Sequence, residues 1–77
     1  MKDVVLDIIA AIFKIDKNNL PENPSSNSLE NWDSLKHLQL IETLEKEFNI
    51  QFEILEYGKL TDLNAIVQII SKKPKLS

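Results

Sequence analysis

The 77-residue sequence predicts an all-α domain. Apolar residues recur at spacings of three and four in three separate stretches, the mark of helices with one buried face. Apolar residues make up 43% of the chain, lean to Leu and Ile, and are interrupted by only one Gly and three Pro. One stretch alternates loosely, but a lone strand has nothing to pair with. The expected architecture is a four-helix bundle of three main helices and one short one.

The first helix is expected over Asp3 to Lys14, where Val5, Ile8, Ile9, Ile12 and Phe13 form an apolar stripe. Val4, Leu6 and Ile15 widen it, so cover on more than one side is expected. Asp3 at the start and Lys14 at the end suit the helix dipole. From Asp16 to Trp32 the period stops, because Asn18, Asn19, Pro21, Pro24 and the Ser/Asn run to Ser28 are turn formers. A loop this long in so small a domain is usually functional or packed down. Leu20, Leu29 and Trp32 are the expected plugs, with a short helical turn near Leu29.

Ser34 to Phe48 reads as the second helix, with Leu40, Leu44 and Phe48 at i, i+4 and i+8 and Ile41 on the same face. Asp33 or Ser34 can cap it. Glu42 and Lys46 form an i,i+4 pair on the wet side, and Asn49 is a plausible stop. A short third helix is expected around Glu53 to Tyr57, before the only glycine. Thr61 is the expected cap of a last helix, Asp62 to about Ser71, with Leu63, Ile66, Val67 and Ile70 inward. Pro74 ends it. The chain is thus a single domain, 1–77, with a long ordered loop between the first two helices and a flexible tail over 72–77.

Composition narrows the function. No cysteine is present, so disulfides and thiolate metal sites are excluded, and one histidine cannot build a zinc site alone. No arginine is present, which weakens a nucleic-acid reading. No apolar run approaches the roughly 20 residues of a membrane span, and with two early aspartates and no small-residue cleavage site no secretory signal is expected. A cytoplasmic monomer that binds neither nucleic acid nor membrane is expected. Asp33 to Asp62 carries seven acids against three lysines, a net of −4. Such a surface steers basic partners.

On a helical wheel at about 100° per residue, Leu35 falls beside Gln39, Glu42 and Lys46 on the polar side of the second helix. A leucine there, next to a helix-start serine, is the anomaly of this helix. His37 falls in the apolar stripe, as a half-buried histidine with one hydrogen bond would. Hydrolysis by Ser34, His37 and Asp33 is disfavoured, because neighbours on one turn cannot put the imidazole between acid and serine. No catalytic residue is expected. Glu42, Glu45 and Glu47 spread around the helix instead of converging, so they fit a docking surface better than a metal site.

Asp33-Ser34-Leu35 resembles the D-S-L motif of acyl carrier proteins. The likeness extends to the Ile-rich first helix, Ser28-Leu29-Glu30 before the motif, and Leu38, Leu40, Ile41, Leu44, Glu45, Glu47 and Phe48 after it. Phe52 and Leu60-Thr61-Asp62-Leu63 resemble the family's entry to its last helix. The resemblance implies that Ser34 carries a 4′-phosphopantetheine arm, attached from coenzyme A by a phosphopantetheinyl transferase with Mg²⁺. It implies that Asp33 helps place the serine and the metal, and that Leu35 fills a pocket on the transferase. The arm's thiol would hold an acyl group as a thioester and present it to acyl-loading and acyl-processing enzymes at high effective concentration. The partner face would comprise Leu35, Lys36, Gln39, Glu42, Glu45 and Glu47.

The chain departs from the fatty-acid type of that family. Asn31-Trp32 stands where Gly-Ala is usual, Lys36 and His37 follow the motif, and Glu42 replaces an exposed apolar residue. These features resemble discrete carriers of specialised pathways, such as polyketide, lipid or surface-polysaccharide assembly. An aminoacyl or peptidyl carrier is the alternative. Outside carriers, the alternative is a small helical adaptor whose D-S-L is only a cap.

Overall fold

Helix α1, Lys2–Phe13, buries Val5, Ile8, Ile9 and Phe13. These positions stack on one side because a helix returns to the same face every three to four residues. The structure, a computed structural model, describes residues 1–75. Leu76 and Ser77, the end of the tail expected to be flexible, lie outside the described residues. Cover over α1 is narrower than expected: Leu6 and Ile15 pack half-buried against the core, but Val4 is 37% exposed. Lys14 ends the helix in the left-handed region at φ 56°, and Ile15 N–H reaches back to the Ala10 carbonyl at 3.0 Å. That is the Schellman stop, here without the glycine that usually makes it.

A 3-10 turn, Lys17–Asn19, follows, capped by Asp16 Oδ1, which accepts from the Asn18 amide at 2.9 Å. Lys17 pairs with Asp7 at 3.0 Å. This carboxylate hydrogen-bonds the lysine and raises its pKa above the ordinary lysine value. Both groups are in water, so the pair contributes little to stability.

The long loop is fixed at two points. Leu29 is buried, and its amide closes a single helical turn onto the Ser25 carbonyl at 3.0 Å. Farther back, the loop completes the start of helix α4, Leu63–Ser71. Leu63 N–H donates to the Pro24 carbonyl at 2.9 Å, Asn64 N–H to Asn23 Oδ1 at 3.0 Å, and Ala65 N–H to Asp62 Oδ1 at 2.7 Å. Ser26 N–H donates to the Thr61 carbonyl at 2.8 Å, beside an isolated antiparallel bridge between Ser25 and Asp62. Three amides that a helix start leaves without partners are therefore satisfied. The cap of α4 is Asp62, not the expected Thr61: the carboxylate one residue later reaches the third amide, and Thr61 contributes its carbonyl to the loop.

Helix α2, Ser34–Phe48, buries Leu40, Ile41 and Leu44 and stops at Asn49, φ 53°, in the left-handed region. Helix α3 is one turn, Ile54–Tyr57, closed by a capping box in which Glu53 and Glu56 satisfy each other's amides. It buries no residue of its own. Its flanks, Phe52 and Leu60, are buried instead, at 3% and 0% exposure. The core is drawn mainly from α1, α2 and α4: Ile9, Leu40, Ile41, Leu44, Leu63 and Ile66 are each 1% exposed or less. Each such side chain contributes about 1.5–3 kcal/mol by leaving water. The radius of gyration is 11.6 Å, against about 11.5 Å for a compact chain of this length. No helix among the described residues is long and apolar enough to cross a membrane.

Candidate functional site

Asp33, not Ser34, caps α2. Its backbone is extended (φ −97°, ψ −175°), and its Oδ1 accepts from the Lys36 amide at 2.9 Å. Its carbonyl takes the His37 amide, also at 2.9 Å. Ser34 becomes the first helical residue, exposed to solvent. Its hydroxyl enters no hydrogen bond among the described residues. The amides of Ser34 and Leu35 are first-turn donors without intrahelical acceptors, next to the positive end of the dipole.

Leu35 and Leu38 stand beside the serine, 64% and 46% exposed. With exposed Gln39 and Glu42 they make one outward face of α2, the side on which the wheel puts Leu35, Gln39 and Glu42. Other residues expected for partner contact are placed differently. Lys36 is half-buried, and its ammonium donates to the Ile12 carbonyl at 3.2 Å, on the last turn of α1. Glu45 is half-buried and its Oε2 accepts from the Phe52 amide at 2.8 Å, holding the turn after α2. Glu47 is exposed but lies around the helix, in a groove with Val4 and Ile8 of α1. The Glu42–Lys46 pair expected on the wet side forms no ion pair among the described residues.

Trp32 and His37 do more than the sequence led one to expect. The indole lies 5.0 Å from Phe13, ring centre to ring centre, and its N–H donates to His37 Nδ1 at 2.9 Å. The other ring nitrogen of His37 lies 2.7 Å from the Tyr57 carbonyl. Indole only donates and a carbonyl only accepts, so Nδ1 is bare and Nε2 carries the proton. The expected single hydrogen bond is two. An open groove of about 410 Å³ sits at the foot of Ser34, lined by Ser26, Trp32, His37, Leu38 and Thr61.

Helix α3 adds residues that sequence reasoning missed. Ile54 and Leu55 are each 83% exposed, the most open large apolar side chains among the described residues. Glu56 pairs with Lys73 at 2.6 Å, and Lys73 also lies 5.6 Å over the Phe52 ring. The backbone amide of Glu53, then the Lys73 ammonium, hold the Glu56 carboxyl below its ordinary pKa. No group of three or more His, Asp or Glu among the described residues could hold a metal ion. A scan against protein-family models finds no match, and a search of curated proteins finds no significant match.

Proposed function

We propose that this chain is a carrier protein: a four-helix bundle with a long ordered loop before α2, modified on Ser34 by 4′-phosphopantetheine. One observation carries the reading. An exposed serine hydroxyl stands at the first turn of a helix whose capping is already done by its neighbour, so the serine has no structural task. A phosphodiester fits there. The two outward first-turn amides favour an anion, and Leu35 and Leu38 offer apolar handles beside it.

When attached, the arm supplies a thiol that holds an acyl group as a thioester. The rest falls to this chain's own residues. Asp33 fixes the turn, and Ser34 Oγ is the attachment atom. In transfer, the new bond joins Ser34 Oγ to the phosphorus of coenzyme A's pantetheine phosphate, and the adenosine bisphosphate part leaves. The serine proton goes to a base on the transferase, because no base among the described residues is bonded to that hydroxyl. Glu42 and the leucines of α2 form the nearest surface for a transferase or an acyl-processing enzyme with a basic, partly apolar face. Trp32, Lys36 and His37 favour a specialised biosynthetic pathway over fatty-acid synthesis.

Intact mass after incubation with coenzyme A, Mg²⁺ and a broad-specificity transferase tests this. One phosphopantetheine on the wild type and none on Ser34→Ala is expected. An unmodified folded wild type, or an adduct that survives Ser34→Ala, would overturn the proposal and leave the helical adaptor.

A further inference from the structure

We infer that His37 is a positioning residue that joins the turn bearing Ser34 to helix α3, so that α2 and α3 present one rigid surface to whatever reads Ser34. Helix α3 has no buried residue to anchor it. Its orientation therefore rests on its buried flanks, on half-buried Tyr57 packed against the core, on the Lys73–Glu56 pair, and on the bond from His37 Nε2–H to the Tyr57 carbonyl. Of these, the last reaches the first turn of α2, where Ser34 stands, whereas the Phe52 flank is bonded to Glu45 farther along that helix. The same imidazole accepts from Trp32, the residue just before the Asp33 cap, and Trp32 in turn lies on Phe13 at the end of α1. A single ring thus ties the residue before the cap, the first turn of α2 and the end of α3.

The geometry leaves no slack in this relay. Both imidazole nitrogens are used, and each in one sense only. Loss of the Trp32 donor frees the ring to change tautomer, and an Nδ1–H tautomer would leave the Tyr57 carbonyl only the long contact from the Leu60 amide at 3.4 Å. Mobility introduced at Trp32 is therefore transmitted to Ile54 and Leu55, which contact neither residue's hydrogen bonds. A partner that reads α2 through Leu35 and α3 through Ile54 requires both at a fixed separation. That recognition clause rests on the Ser34 reading above; the mechanical coupling does not.

Two measurements decide it. Long-range proton–nitrogen correlation spectra on the wild type should show His37 in the Nε2–H tautomer. Backbone exchange should then be followed in His37→Ala and His37→Gln. The Gln side chain still carries a donor at the reach of Nε2, whereas Ala carries none. In His37→Ala the amides of Glu56, Lys59 and Leu60 should exchange about five-fold faster, with little change at Leu40 to Leu44, and His37→Gln should restore most of the protection. Uniform acceleration across all helices, unchanged exchange in α3, or an Nδ1–H tautomer would overturn the inference. With the transferase, His37→Ala should raise KM for this protein about five-fold and leave kcat near the wild-type value. If no variant, wild type included, is modified on Ser34, the carrier reading falls while the exchange data still decide the coupling.

Discussion

Replacing Asp33 by Ala and, separately, Ser34 by Ala should separate folding from modification at adjacent residues. Asp33 supplies the cap bond to the Lys36 amide at 2.9 Å. Losing such a cap costs about 1 kcal/mol, within a range of roughly 0.5–2. The carboxylate's attraction to the helix dipole overlaps with that figure and is weakened by salt, so it is not added. At about 0.05–0.15 kcal/mol per residue, a 77-residue chain has roughly 4–12 kcal/mol of stability. The loss is therefore visible without unfolding the protein. With a urea slope of about 1 kcal/mol/M, the midpoint should fall by about 1 M at constant slope, and the thermal midpoint by about 4–8 °C. Ser34→Ala behaves otherwise. Its hydroxyl has no partner to lose among the described residues, and Ala is the better helix former, so stability should stay within about 0.5 kcal/mol of wild type or rise. Circular dichroism in a urea series gives both numbers. Equal losses in the two variants would refute the assignment of the cap to Asp33 and of a non-structural role to Ser34.

Two further outcomes follow from the same geometry. The folded state lowers the Glu56 pKa, so its contribution to stability is fully present above the ordinary carboxylate pKa and is lost as pH falls through the lowered folded value. A carbon-detected NMR titration should show that midpoint move up in Lys73→Ala, though not all the way, because the Glu53 amide bond remains. Lys14→Gly should raise stability by up to about 1 kcal/mol, read as a higher thermal midpoint. The left-handed conformation at φ 56° costs a side-chain-bearing residue about 1–2 kcal/mol, which outweighs the greater freedom that glycine has in the unfolded chain.

The helices were legible because their signals are local. The stripe from Val5 to Phe13 and the Leu40-Leu44-Phe48 series specify faces, and the span of α2 coincides with the expected Ser34 to Phe48. Asp33 and Ser34 were equally plausible as caps, since either residue type can accept from the first turn. Only the backbone angles of residue 33 distinguish them. Long-range partners were not legible. Lys36 reads as a surface charge until α1 ends beneath it, and Glu45 reads as one until the chain turns back at Phe52. His37 was placed correctly in the apolar stripe, but nothing local says that Trp32 and Tyr57 converge on its two nitrogens. The cap of α4 was missed by one residue because its amides are met partly by Asn23 and Pro24, from a loop the pattern treats as featureless.

That shared helix start has a consequence for the order of folding. Asn23 and Asn64 are 41 positions apart, and closing a loop of that length costs about 3 kcal/mol in chain entropy. Helices α1 and α2 can make their first contacts at shorter range, as between Ile12 and Lys36, 24 positions apart, so the docking of the loop onto α4 belongs later on the folding path. Until it happens the loop lacks its distal anchor and α4 lacks two of its first-turn acceptors. Each half is completed by the other. The Asn23 to Ser26 stretch therefore takes its final setting only once α4 has docked, whereas Leu29 and Trp32, nearer to Ser34, are held by the core and by Phe13.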